Sequence, residues 1–87
     1  MIYAVLIKPS ALKEISRLPD EIRNRAIQII GNLKSKPRPT GCIKLRSQEN
    51  RWRIRISNYR ILYEVEDESM TVRVFRVTHR KEVYKER

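Results

Sequence analysis

The stretch RWRIRISNYRILYEVE, residues 51–66, decides the fold. Its first half alternates arginines with apolar residues, in the order Arg51, Trp52, Arg53, Ile54, Arg55 and Ile56. Such a period of two predicts a strand with one apolar face and one solvated face. The second half alternates in a similar way, so the whole stretch predicts a β-hairpin.

The position of the turn sets which residues of the hairpin face each other. A turn at Asn58-Tyr59 predicts an apolar face made of three cross-strand pairs, Trp52 with Val65, Ile54 with Tyr63, and Ile56 with Ile61. The other face then pairs Arg51 with Glu66, Arg53 with Glu64, Arg55 with Leu62, and Ser57 with Arg60. We therefore expect Arg55 and Arg60, which lack acidic partners, to be available for an external anion. Asn-Tyr is an unfavourable turn pair, because the favoured types need a positive φ.

Length and charge limit the class of protein. Eighty-seven residues with 40% hydrophobic content and two glycines predict one compact domain, residues 1–87, with a small core. Twenty Lys and Arg against ten Asp and Glu give a net charge of +10. A small domain this basic predicts a polyanionic partner, which could be nucleic acid, the ribosome or an acidic protein.

Cysteine content and hydropathy indicate the compartment. Cys42 is the only cysteine, which excludes an internal disulfide, is typical of a reducing cytoplasm and predicts a buried structural thiol. The apolar run at residues 2–7 ends at Lys8-Pro9 and is too short for a membrane span of about 20 residues. No small-residue cleavage site follows it. The sequence therefore predicts a soluble, cytoplasmic protein with no membrane partner.

Periodicity and the prolines predict the remaining elements. Residues 2–7 predict a first strand buried on both faces. Ser10 is expected to cap a first helix, and Pro19 to begin a second. Residues 42–46 predict a short strand and residues 70–77 a last one, whose broken alternation indicates a β-bulge or burial on both faces. The order β-α-α-β-β-β-β predicts an α+β fold, with a helical hairpin packed on one face of a mainly antiparallel sheet.

The residue types present limit the possible chemistry. The sequence has no glycine-rich phosphate loop, no Cys/His metal cluster and no nucleophile with a recognisable base. It therefore predicts neither a metal nor a small-molecule cofactor. An enzyme built from this chain has to work with arginines, a tyrosine and the only histidine, His79. Such a set suits RNA cleavage, because the substrate supplies the 2′-OH nucleophile and guanidinium groups stabilise charge on the phosphorane.

Three segments resemble the RelE/ParE toxin superfamily, most closely its RelE-type mRNA interferases. They are ALKEISRLP at residues 11–19, KLRSQENRWRIRISNYRILYEV at 44–65, and HRKEVY at 79–84. The resemblance implies a RelE-like fold and a type II toxin that enters the ribosomal A site. It further implies that mRNA is cleaved there by attack of the 2′-OH on the adjacent phosphate, which inhibits translation. A cognate antitoxin is the implied partner, acidic in the segment that neutralises the toxin.

The resemblance also implies the site residues. By the family's pattern, Arg53 and Arg55 take two basic strand positions, Arg60 the arginine after the turn, Arg80 the arginine after the last strand, and Tyr84 the tail tyrosine. Well-studied members carry lysines in place of Arg53 and Arg55. Arginine stays protonated, with a pKa above about 12, so neither residue can be a general base. Proton transfer is then left to Tyr84 or to His79, since a histidine has an unperturbed pKa near ~6.5.

Further basic residues are expected to attract RNA phosphates, namely Lys44, Arg46, Arg51 and Lys81. Structural interpretations stay open for the site itself: Arg53 could simply pair with Glu64, and Tyr84 could pack on the sheet edge. Two other functions also stay open. One is a ParE-like toxin that inhibits a DNA topoisomerase without nuclease activity, and the other is a non-catalytic module that binds RNA or the ribosome.

Overall fold

A computed structural model of the chain describes residues 2–46 and 49–79. Its elements are β1 (Ala4–Ile7), α1 (Pro9–Ser16), α2 (Asp20–Asn32), β2 (Ile43–Lys44), β3 (Arg51–Ile56), β4 (Tyr59–Glu66) and β5 (Thr71–His79). The strands form a five-stranded sheet in the order β1-β5-β4-β3-β2. β1 runs parallel to β5, and every other neighbouring pair is antiparallel. The predicted element order and the predicted α+β fold class are confirmed.

The core lies between the two helices and one face of the sheet. The helices contribute Ala11, Ile15, Leu18, Ala26, Ile30 and Leu33, and the sheet contributes Ile54, Ile56, Ile61, Tyr63, Val65, Val72, Val74 and Val77. Tyr63 is fully buried, and its hydroxyl donates a hydrogen bond to the carbonyl oxygen of Pro37 at 2.8 Å. Burial raises the pKa of Tyr63, and the neighbouring Cys42 thiol adds to the effect. Cys42 itself is half-buried.

The hairpin register differs from the predicted one by two residues. The turn is Ser57-Asn58, so that Ile56 pairs with Tyr59 and Ile54 with Ile61. Ser57 takes the positive φ that such a turn requires, at 53°. The displacement is an even number of residues, so every side chain keeps its predicted face while its cross-strand partner changes.

Strand β5 contains a β-bulge, one of the two explanations offered by its broken alternation. Leu62 of β4 pairs with Arg76, and the next residue, Tyr63, pairs with Val74. Phe75 is therefore the extra residue on β5. One extra residue brings Val77 back into phase with Val74, and both lie in the core.

Strand β1 is half-buried, and the prediction that both its faces are buried is wrong. Leu6 is 52% exposed, whereas Val5 and Ile7 pack against the core. β1 lies at one end of the strand order, and the helices that build the core cover only one of its faces. A continuous apolar run is compatible with either position, because periodicity does not report where in a sheet a strand lies.

Helix α1 begins two residues before the position that a cap at Ser10 predicts. Pro9 is the first helical residue and Lys8 is the N-cap, so Ser10 does not cap the helix. Proline suits this position because the first helical N–H has no partner within the helix. No helix among residues 2–46 and 49–79 has both the length and the apolar character needed to cross a membrane.

Asp67 ties three distant segments together at one end of the sheet. The hydroxyl of Tyr3, just before β1, donates to Asp67 Oδ1 at 2.7 Å. The guanidinium of Arg38, in the segment between α2 and β2, donates to Asp67 Oδ2 at 2.8 Å. Hydrogen bonds from Arg38 and then from Tyr3 hold the pKa of Asp67 below its ordinary value.

The Ser57→Gly substitution tests the hairpin register. It should raise the free energy of unfolding by up to about 1 kcal/mol, because a left-handed residue with a side chain costs roughly 1–2 kcal/mol and the added chain entropy of glycine offsets part of the gain, roughly 0.5–1 kcal/mol. Asn58→Gly is the matched control and should lower stability, because Asn58 has no positive φ. Chemical denaturation measures both variants. A loss of stability in Ser57→Gly equal to that in Asn58→Gly would contradict the observed turn.

The Asp67→Asn substitution tests the tie at the end of the sheet. The pKa of Asp67 is lower in the folded than in the unfolded protein. Its stabilising effect is therefore fully present above the unfolded value of about 3.9 and is lost as the pH falls through the folded value. We expect the variant to melt below the wild type at pH 7, and the gap to close on acidification. Glu68→Gln, which removes a neighbouring exposed carboxylate, is the control. A gap that stays constant down to pH 2 would contradict this role.

Candidate functional site

The alternation of β3 and β4 places a set of arginines on the sheet face opposite the core. We call this surface of the hairpin the arginine face. It consists of four arginines and the two residues that lie among them: Arg51, Arg53 and Arg55 of β3, and Arg60, Leu62 and Glu64 of β4. Consecutive members on one strand are two residues apart, which corresponds to about 6.6 Å along the strand. The arginines therefore form a row on a rigid hairpin.

The observed register changes the partners of the three β3 arginines. Arg51 lies opposite Glu64 rather than Glu66, and its Nε is 3.1 Å from Glu64 Oε2. Arg53 lies opposite Leu62, so the predicted pairing with Glu64 is wrong. Within residues 2–46 and 49–79, the side chain of Arg53 makes no hydrogen bond or ion pair. Glu64, which the sequence offered as a partner for Arg53, pairs with Arg51 instead.

Arg55 and Arg60 lie directly opposite each other, which corrects the predicted pairs with Leu62 and Ser57. Like charges at directly opposed positions of a sheet are destabilising. Arg55 is exposed, and its Nε reaches only the carbonyl oxygen of Ser57, at 3.4 Å. Arg60 is 4% exposed, so its charge is held within the protein. The two strands thus bring two arginines to opposed positions near the hairpin turn.

The other end of the arginine face is neutralised. Arg73 of β5 lies opposite Glu64, with its Nη1 3.9 Å from Glu64 Oε1 and 3.4 Å from Glu66 Oε2. The guanidinium of Arg51 lies 4.4 Å from the centre of the Phe75 ring. Two arginines and two glutamates thus balance at this end, while positive charge is concentrated near the hairpin turn. Sequence reasoning missed Arg73, because it assigned no register between β4 and β5.

The only histidine lies on the other face of the sheet. His79 pairs with Tyr59, and their rings meet edge to face with centroids 5.3 Å apart. Tyr59 packs against the core, whereas the next pair, Arg60 with Thr78, belongs to the arginine face. Because neighbouring side chains point to opposite faces, the fold does not bring His79 together with the arginines.

The other predicted site residues are dispersed. Lys44 is exposed and lies opposite Trp52, on the helix-covered side of the sheet, while its neighbour Ile43 lies beside Arg53. Arg46 is exposed in the segment after β2. Arg80, Lys81 and Tyr84 lie outside the described residues. In the part of the chain that the structure describes, no group of three or more His, Cys, Asp and Glu could hold a metal ion.

Comparison with known families and sequences gives consistent matches. The family of ParE toxins of type II toxin–antitoxin systems (parDE) matches residues 5–84. Toxin RelG of Mycobacterium tuberculosis is 30% identical over 86 residues, which is 98% of this chain and 99% of that protein. Both matches span the helices, the hairpin and the last strand.

Solved structures share the fold over nearly the whole chain. A chain of the archaeal RelE–RelB complex from Pyrococcus horikoshii OT3 has a TM-score of 0.82 and 25% identity, covering 92% of this chain and 97% of its own. An Escherichia coli RelE variant in the free state has a TM-score of 0.81 and 30% identity, covering 99% of this chain and 94% of its own. The E. coli RelBE toxin–antitoxin complex contains a chain with a TM-score of 0.78 and 29% identity, covering 88% of this chain and 95% of its own.

Proposed function

We propose that this chain, which belongs to the RelE/ParE superfamily of type II toxin–antitoxin toxins, is a ribosome-dependent endoribonuclease that cleaves mRNA and so inhibits translation. The observation that carries the proposal is the cluster of Arg53, Arg55 and Arg60 near the hairpin turn, with Arg55 directly opposite Arg60. No carboxylate within the described residues pairs with Arg53 or Arg55. Such a cluster suits a phosphate group that gains charge during reaction.

The reaction follows from what arginines can do at a phosphodiester. The 2′-oxygen of the substrate forms a bond to the adjacent phosphorus, and the bond from phosphorus to the 5′-oxygen breaks. The products are a 2′,3′-cyclic phosphate and a 5′-hydroxyl. Charge on the non-bridging oxygens rises in the phosphorane, where guanidinium groups donate charge-assisted hydrogen bonds. In this proposal Arg55 and Arg60 bind these oxygens from two neighbouring strands, and Arg53 binds the next phosphate or the same one.

The proton must leave the 2′-OH and another must reach the 5′-oxygen, and the arginines cannot perform either transfer. They stay protonated at any physiological pH. Glu64, the carboxylate of the arginine face, is paired with Arg51, and His79 lies on the opposite face of the sheet. These placements favour Tyr84, or a group that the ribosome supplies, over His79. The described residues hold no complete acid and base pair on the arginine face, and this is the physical reason why we propose dependence on the ribosome.

A cognate antitoxin is the second partner that we propose. Structural relatives include RelE–RelB and RelBE complexes, in which the toxin is bound by its antitoxin. The net charge of +10 favours an acidic neutralising segment. Binding of that segment over the hairpin end of the arginine face would exclude RNA from the same positive charge.

A ParE-like topoisomerase inhibitor is the competing function, and the description of the matched family favours it. Such a toxin binds its target without cutting nucleic acid, so it has no need for arginines aligned on a phosphate. The two functions separate in one comparison. The protein is assayed for mRNA cleavage on ribosomes and for inhibition of a DNA topoisomerase, and we expect activity in the first assay alone.

Cleavage should require the ribosome. We expect mRNA to be cut on programmed ribosomes and to leave ends with a 2′,3′-cyclic phosphate and a 5′-hydroxyl. The same RNA without ribosomes should stay intact, because the described residues give the arginine face no acid and base pair. Primer extension and end-group analysis measure both. Efficient cutting of naked RNA at defined positions in physiological salt would contradict this prediction.

The arginines should differ in importance along the arginine face. Arg53→Ala, Arg55→Ala and Arg60→Ala should each reduce single-turnover cleavage by about 10²–10³-fold, the usual cost of one transition-state donor. Arg51→Ala should cost less than about tenfold on the same scale, because Glu64 already holds that guanidinium.

Arg25→Ala, which removes an exposed charge from α2, is the control for net charge. Thermal melting establishes that each variant is folded before its rate is compared. A loss in Arg51→Ala as large as that in Arg55→Ala would show that the two ends of the arginine face do not differ.

A further inference from the structure

Strand β5 extends beyond the strand that covers its outer edge. The parallel pairing with β1 ends at Ile7, which lies opposite Val74. β5 continues to His79, so its last residues have no strand on that side within the described chain. Backbone N–H groups at a partly buried edge need another acceptor, since an orphaned donor is costly.

Glu14 of α1 supplies that acceptor. The backbone N–H of Val77 donates a hydrogen bond to Glu14 Oε1 at 2.8 Å. The second oxygen, Oε2, lies 3.4 Å from Arg76 Nε. Helix α1 follows β1 directly in the chain, so one carboxylate takes the place of the backbone carbonyl that a longer β1 would have offered.

The end of β5 that Glu14 contacts, residues 76–79, lies beside the arginine face. Beyond the bulge, Arg76 pairs with Leu62 and Thr78 pairs with Arg60. Thr78 and Arg60 are both 4% exposed, so neither side chain has room to move independently of its neighbour. A displacement of the end of β5 would therefore be passed to Arg60, and from there to its geometry relative to Arg55.

We propose that Glu14 is a positioning residue for RNA cleavage. Its carboxylate holds residues 76–79 against β4 and so fixes the guanidinium of Arg60 relative to that of Arg55. Glu14 touches no reacting atom in this role. The proposal rests on the proposed ribonuclease function and adds to it a residue from the helical side of the fold.

Two substitutions separate the hydrogen bond from the charge. Glu14→Ala removes both contacts, and we expect kcat to fall by about 10²-fold, the loss that a misplacement of about 1 Å typically causes, with KM little changed. Glu14→Gln keeps a carbonyl oxygen for Val77 N–H and should recover most of the rate. Arg76→Ala leaves the Val77 hydrogen bond in place, so the Val77 amide should stay protected in this variant. Glu21→Ala, which removes an exposed carboxylate from the first turn of α2, is the control for charge.

Hydrogen exchange of the Val77 amide, followed by NMR on the full chain, is the readout that does not depend on activity. It should speed up in Glu14→Ala and stay slow in Glu14→Gln. Thermal melting identifies any variant that is unfolded. If Glu14→Ala is unfolded, the rate and the Val77 exchange of Glu14→Gln still test the proposal.

The outcomes distinguish this proposal from the proposed function. Faster exchange at Val77 in Glu14→Ala with wild-type cleavage would overturn the positioning role and leave the ribonuclease in place. A Glu14→Gln variant as inactive as Glu14→Ala, yet with slow exchange at Val77, would also overturn it. A wild-type protein that cleaves no mRNA on ribosomes would overturn the proposed function and, with it, the role of Glu14.

Discussion

Arg55 and Arg60 lie opposite each other on two paired strands, so the hairpin must stabilise two like charges at opposed positions. Direct opposition of like charges costs roughly 0.2–1 kcal/mol. On the reverse face of the same strands, Ile54 pairs with Ile61, and both are buried. Burial of each such side chain contributes about 1.5–3 kcal/mol, which exceeds the repulsion. The core therefore fixes a charged arrangement that would not persist on an isolated hairpin.

The sequence of residues 51–66 correctly predicts which side chains share a face of this hairpin, but it does not predict which residues are cross-strand partners. Faces depend only on the period of two, and a displacement by two residues leaves them unchanged. Pairs depend on the turn, and here the residue with positive φ is Ser57, where sequence rules look for glycine. Because the turn lies one residue earlier than predicted, Glu64 pairs with Arg51 instead of Arg53. The sequence also does not show that β1 is an edge strand, because the sheet topology, and not hydropathy, decides which face of an apolar strand is covered.

The bulge at Phe75 decides which face His79 occupies. Without it, strict alternation from the buried Val72 and Val74 would put Thr78 on the core side and His79 beside the arginines. The extra residue reverses the face of everything that follows it, so His79 meets Tyr59 and Thr78 meets Arg60. Arg73 lies ahead of the bulge, opposite Glu64, and the two form part of the neutral end of the arginine face. Periodicity offered the bulge only as one of two explanations, so no residue beyond it could be assigned to a face from sequence.

These placements divide the chemistry between the protein and its surroundings. The described arginine face offers donors that are charged at every physiological pH, and each such donor can contribute about 10²–10³-fold to a reaction that builds charge on phosphate. Its carboxylate, Glu64, is held by Arg51, and His79 lies on the far side of the sheet. Stabilised charge alone does not remove the proton from a 2′-OH. For the ribonuclease that we propose, such a surface would bind RNA through its phosphates and would cut only where a second group, from the tail or from the ribosome, completes the proton transfer.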